Sequence, residues 1–374
     1  MCYAMHRAVP TLCVAVGILI QVSFAVAQDT PSESLGDQEQ AAIRAAVNRV
    51  DDSVVQIRTI GGLEEVDRTL MPDGPTTGVV ISSEGWIVSS AFNFIQPPAS
   101  ILVTFANGEQ APATLVAKDH SRMLVLLKLQ RLPQLTVPEF APAADVHPGD
   151  WAIAVGRTYR ADRTNISVGV VSAVNRMLGK AIQIDAHVSV ANYGGPLVDI
   201  HGRVVGIIVP MAPQATSEVA GAEWYDSGIG FAVPLAPIQP AIDRLKRGED
   251  QYPGILGVSF ASGLAQTSPA EIAAVRPNSP AGVAGLRKSD LIVAINDQSV
   301  SSQTDLRFAL GPRYAGETIQ VKAKRGDDEL ERTVTLAGKL EPFRHAFLGL
   351  LPLRPELAAD AASQQSANTG LPKS

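Results

Sequence analysis

Between Ile184 and Val198 the chain carries residue types from which acyl-transfer chemistry is built: Asp185, His187, Ser189 and the run Asn192-Tyr193-Gly194-Gly195. A Gly-Gly turn lets backbone N–H groups converge on one point, because glycine takes positive φ without a Cβ clash. Such a pair stabilises a developing oxyanion, provided a nucleophile stands beside it and a base removes the nucleophile's proton. The residue ahead of the glycines is Tyr193, a phenol whose ordinary pKa is about 10 and which stays protonated without an imidazole neighbour. Ser189 with His187, or His120 beside Asp119, would have to supply the missing groups. The plainer reading makes both histidines loop or surface residues and Asp185 structural. His147, His201 and His345 complete a scattered set with no metal-ligand spacing, so neither a metal nor a cofactor is expected.

Short strands at regular spacing must hold this loop. Ser53–Ile60, Thr77–Ser82, Trp86–Ser89, Ile101–Phe105, Thr114–Ala117 and Leu124–Leu129 form a first set, with a hairpin at Asn107-Gly108. Trp151–Val155, Ser167–Ala173, Ala181–Ile184, Pro196–Ile200, Arg203–Val209 and Gly228–Val233 form a second. A helix is expected over Asp37–Val50, capped by Asp37, and another over Ala236–Lys246. Gly254–Leu336 then has its own five strands and two short helices, near Ser279–Gly285 and at Thr304–Leu310.

The ends read differently. Arg7, an apolar stretch to Phe24 and Ala25-Val26-Ala27 before Gln28 read as an export signal, with a retained membrane anchor as the competing reading. Both cysteines, Cys2 and Cys13, lie in that segment, so the remainder has no thiol for disulfides, thiolate metal sites or nucleophilic catalysis. The net charge of −6 becomes −7 once Arg7 is removed with the signal, which argues against nucleic acid as a partner. The expected organisation is a signal over 1–27, a disordered polar segment over 28–40, barrels over 41–247, a further domain over 251–342 and a mostly disordered tail over 343–374.

Taken together, Thr76–Ser82, Gly85–Val88, Asp150–Gly156, Val168–Ala173, Gln183–Ala186, Gly194–Val198 and Gly228–Pro234 resemble the trypsin-like protease domain of the HtrA (DegP/DegS) family. Ile272–Leu310, with Asn278-Ser-Pro-Ala-Gly-Val-Ala-Gly-Leu286 and Ile295-Asn296, resembles the PDZ domain that follows it. The resemblance implies a mostly β fold: a chymotrypsin/trypsin-like double β-barrel and then a PDZ domain. It also places the family's catalytic histidine at Phe92, its aspartate at Met123 and its serine at Tyr193. These three can pack as an apolar plug. The expectation is therefore an exported, catalytically inactive relative that is not an enzyme and works by binding. The alternative is an active serine-type endopeptidase of extracytoplasmic protein quality control with a rebuilt site.

For the PDZ-like part the resemblance implies capture of an extended peptide at a sheet edge, with its C-terminal carboxylate held by backbone N–H groups. The matching loop is Ile255-Leu256-Gly257-Val258, and Ile255, Val258 and a helix face including Arg307 or Phe308 would line the side-chain pocket. Ser289 stands where the family has glycine before Asp290. Expected partners are peptide or protein C-termini and other HtrA-family proteins, with no membrane span after signal cleavage. Homo-oligomerisation is left open: family trimers use N-terminal aromatics, and Gln28–Asp52 contains none.

Overall fold

Twelve of the strands close into two barrels, which removes the exposed edges that short strands otherwise present. The computed structural model describes residues 34–61, 65–66, 69–70, 75–211 and 228–340; the expected signal and the tail 343–374 lie outside them. The first barrel runs β1 (Val54–Ile60), β4 (Thr76–Ser82), β5 (Trp86–Ser90), β8 (Leu124–Leu129), β7 (Gln110–Asp119) and β6 (Ser100–Thr104), in that spatial order. Between β1 and β4, β2 (Glu65–Val66) and β3 (Thr69–Leu70) pair as a small ribbon. The second barrel runs β10 (Arg163–Asn175), β11 (Ala181–Ile184), β14 (Gly230–Val233), β13 (Val204–Ile208), β12 (Pro196–Val198) and β9 (Trp151–Arg160).

β8 shows why an almost wholly apolar strand is needed between the barrels. Its alternation sends Val125 and Leu127 into the first barrel with Ile57, Ile87 and Val103. Leu124 and Leu126 point the other way, into a cluster with Ile207, Phe231 and Val233 of the second barrel. Both faces are buried, so period-two polarity disappears. The helix α1 (Leu35–Val50) lays Ala46, Val47 and Val50 on Ile153, Val155, Val198 and Val204.

Two local readings are corrected. α1 begins at Leu35, not Asp37: Ser34 is the cap and accepts from the Asp37 N–H at 3.2 Å, while the Asp37 carboxylate reaches back to Ser34, a reciprocal capping box. Residues 35–40 of the segment expected to be disordered are thus helical. The hairpin at Asn107-Gly108 is a three-residue loop, with Phe105 N–H bonded to the Glu109 carbonyl at 2.9 Å and only Gly108 at positive φ, +81°.

Beyond the tight turn α2 (Arg176–Gly179) and the helix α3 (Gln239–Lys246) comes the last unit. It contains β15 (Val258–Phe260) paired with β16 (Ile272–Val275), then α4 (Pro280–Val283), β17 (Leu291–Ile295), β18 (Gln298–Ser299), α5 (Gln303–Leu310), β19 (Thr318–Arg325) and β20 (Asp328–Thr335). Leu256, Ile272, Ile292, Ile295, Leu306 and Val321 form its core. Gln251 straps it to the first barrel: its N–H donates to the Lys118 carbonyl and its carbonyl accepts from His120 N–H, both at 2.8 Å.

Candidate functional site

The seam loop is held by threonines ahead of β4's glycine. Thr76 Oγ1 donates to the Tyr193 carbonyl at 3.0 Å, and Thr77 Oγ1 donates to the Ala191 carbonyl at 3.2 Å. Gly194 sits at φ +83°, and a Cβ there would lie 2.2 Å from the Thr77 carbonyl oxygen. Only glycine allows the loop to approach β4 this closely. The expected convergence of free Gly-Gly donors is corrected, because acceptors in the loop and in β13 take its N–H groups. Gly194 N–H bonds the Ile208 carbonyl at 2.8 Å and Gly195 N–H the Asn192 carbonyl at 2.9 Å. Tyr193 N–H bonds the Ser189 carbonyl at 3.3 Å, and Ala191 N–H bonds Ser189 Oγ at 3.3 Å.

The structure brings Phe92 and Tyr193 together. Both are buried, and their rings meet edge to face in the core of the second barrel. Met123 is joined to them by backbone, its carbonyl accepting from Ala91 N–H at 2.7 Å. Its side chain packs against the cluster containing Leu124, Leu126 and Phe231, so the expected three-way plug is two aromatic rings with Met123 in the next cluster. Met123 also holds a left-handed φ of +57°.

His120 takes its carboxylate from outside the seam loop, its Nε2 lying 3.5 Å from Asp250 Oδ2. His120 stacks on Tyr252, with centroids 4.6 Å apart, at the joint with the last unit. Asp119 is fully buried beneath it and accepts from Tyr314 Oη at 2.5 Å and from the Ser121 and Arg122 N–H groups. Burial holds the Asp119 carboxyl above its ordinary range despite these donors and nearby Arg122. Asp185 accepts from Val170 N–H at 2.6 Å, a structural bond between strands, and His187 is exposed.

Around β15 the arrangement differs. β15 pairs with β16 on one side, and in its two-stranded sheet the other side has no strand among the described residues. The Leu256 carbonyl accepts from Ala281 N–H at 3.0 Å and the Gly257 carbonyl from Arg276 N–H at 2.9 Å. In trans peptides C=O and N–H point opposite ways, so the Gly257 and Val258 N–H groups face away from these donors, toward one side of the loop. Gly257 has φ +85°, and a Cβ there would lie 2.2 Å from Ser279 Cβ. Leu256 turns its side chain into the core, whereas Ile255 and Val258 are half-buried and Arg307 and Phe308 exposed. The start of α5 is tied to the segment after β15 through Gln303 N–H to the Ser268 carbonyl at 2.9 Å. Sequence reasoning missed the Thr76–Thr77 clamp and the Asp119–Tyr314 contact; the latter spans 195 positions and leaves no local signal.

Known proteins match both halves. A model of the trypsin-like peptidase domain matches residues 76–207, and a PDZ domain model matches residues 254–336. The chain is 33% identical over 277 residues to a probable periplasmic serine endoprotease, DegP-like, of Chlamydia trachomatis, covering 70% of this chain and 53% of that protein. A probable periplasmic serine endoprotease of Rhizobium meliloti, also DegP-like, is 26% identical over 315 residues, covering 80% and 58%. The chain thus spans little more than half the length of these relatives. Among solved structures, the serine endoprotease from Yersinia pestis superposes with TM-score 0.58 at 25% identity, covering 80% of this chain and 98% of that one. The HtrA-type protease AlgW with a tripeptide gives TM-score 0.62 at 24% identity, covering 80% and 98%. These matches correct the expectation of a non-enzyme. The relatives are named serine endoproteases and the matched domain is a peptidase domain, while side-chain identity at three positions is no measure of turnover.

Proposed function

Because the chain belongs to the HtrA family of trypsin-like serine proteases with a PDZ domain, we propose that it acts outside the cytoplasm and captures apolar polypeptide C-termini at the open edge of β15. The observation that carries this reading is the orientation of the Leu256 and Gly257 carbonyls, which leaves the Gly257 and Val258 N–H groups to meet a carboxylate. An incoming strand would pair along Val258–Phe260, with its last side chain between Ile255, Val258 and the exposed face of α5 at Arg307 and Phe308. The periplasmic names of the relatives and the peptide-bound AlgW structures support location and ligand class.

The test is calorimetric titration of the full chain with two matched peptides ending in valine, one a free acid and one an amide. The acid is expected to bind with a dissociation constant on the order of micromolar, about 8 kcal/mol, and the amide at least about tenfold more weakly. Equal affinity would overturn the reading. Peptide-bond hydrolysis is read in parallel from casein digestion. Ser189→Ala asks whether the one serine of the seam loop carries any turnover observed.

A further inference from the structure

Between the second barrel and the PDZ unit lies a cavity of about 400 Å³, within the range of small-molecule sites. Four basic side chains line it, Arg122, Lys180, Arg244 and Arg313, against one acidic side chain, Glu317. Arg122 is only 3% exposed. Its Nη2 donates to the Pro312 carbonyl at 2.9 Å and its guanidinium lies 4.4 Å from the Tyr314 ring centroid, while Nη1 is buried without a hydrogen-bond partner among the described residues. Arg244 Nε is likewise buried without one; its guanidinium lies 5.3 Å from the same ring and 3.8 Å from Glu317, which Arg313 approaches equally closely. Lys180 Nζ donates to the Ser121 carbonyl at 3.2 Å. Burial and then the charge of Arg122 hold its ammonium below its usual range.

Buried guanidinium donors without acceptors are costly, and collecting cations at a domain joint adds repulsion, which the buried Asp119 carboxyl near Arg122 and Lys180 and the Glu317 carboxylate offset only in part. A dianion relieves both. We propose that this cavity binds a small phosphate-bearing molecule, its phosphate taken by Arg122, Lys180 and Arg244. Planar guanidinium edges and an ammonium arriving from different elements suit a tetrahedral group with several acceptor oxygens. The carbon body of such a ligand meets apolar wall from Val174, Pro237 and Ile238. The joint is thereby a ligand site separate from the β15 edge, and this inference stands without the C-terminus reading.

Calorimetric titration of the full chain with glycerol 1-phosphate, and separately with inorganic phosphate, tests it at an ionic strength fixed with sodium chloride. Saturable binding in the sub-millimolar range is expected, weakened at least tenfold in Arg122→Met and Lys180→Met. A tighter ester than inorganic phosphate identifies a phosphorylated small molecule as occupant; equal affinity identifies the free anion. Arg122 is buried, so Lys180→Met, at a half-buried position, keeps the test decisive where Arg122→Met fails to fold. Absence of saturable binding, a signal that chloride reproduces, or undiminished affinity in Lys180→Met overturns the proposal.

Discussion

Phe92 and Tyr193 meet with ring centroids 5.5 Å apart and planes at 74°, an edge-to-face pair joining the turn between β5 and β6 of the first barrel to the second barrel's seam loop. Either ring truncated to alanine should cost about 3–5 kcal/mol, since both are buried and the space cannot refill. A double-mutant cycle on urea unfolding should leave a coupling of about 0.5–1.5 kcal/mol. Strict additivity would show that the rings share a core without interacting.

Ser289 holds φ +69° immediately before the buried Asp290. A residue with a Cβ pays there for a conformation that glycine adopts freely. Ser289→Gly should therefore raise the stability of the PDZ unit by about 0.5–1 kcal/mol, after the added freedom of the unfolded chain is counted. The midpoint of its denaturant transition reads this directly, and a lower midpoint would show that the Ser289 side chain has a role of its own.

Asp119 gives the domain joint a pH dependence. Its folded-state pKa is raised by burial, so the folded chain binds a proton that the unfolded chain releases. The stabilisation is complete below the ordinary carboxylate value of about 3.9, and is lost as pH rises through the raised folded value. The melting temperature of the parent should accordingly fall across that window relative to Asp119→Asn, which keeps an acceptor for the Ser121 and Arg122 N–H groups. Parallel profiles for the two proteins would exclude the effect.

At the β15 edge, Phe308→Ala should weaken the acid-terminated peptide about tenfold, roughly 1.4 kcal/mol, by removing exposed apolar wall. Gly257→Val should abolish binding for a different reason. A side chain at φ +85° collides with Ser279 and deforms the loop itself, so its loss should appear in thermal stability as well as affinity. Full binding by Phe308→Ala would move the pocket off α5.

Much of the architecture was legible because its signals are local. β8, β11 and β16 begin and end where apolar runs and turn residues place them. Ends set by reciprocal side-chain bonds were harder to place: Ser34 and Asp37 share the start of α1, and either alone reads as a cap. The seam loop was legible in position but not in geometry. Whether the Gly194 and Gly195 N–H groups face a ligand depends on Ile208 and Asn192, whose carbonyls take them first. The basic cavity was invisible, because Arg122, Lys180, Arg244 and Arg313 are distant in the chain and meet only when the domains dock.

The strap at Gln251 also sets a length scale. Bonded to Lys118 and His120 at the end of β7, it pins the start of the PDZ unit to the first barrel, so the statistics of a free linker do not describe that unit's position. On the proposed reading of the β15 edge, a polypeptide end held there would reach the seam across a separation that extended chain covers at about 3.3 Å per residue. The docking of Gln251, Asp119 and Tyr314, not the sequence of the captured chain, would then set how far from its end that chain meets the barrels.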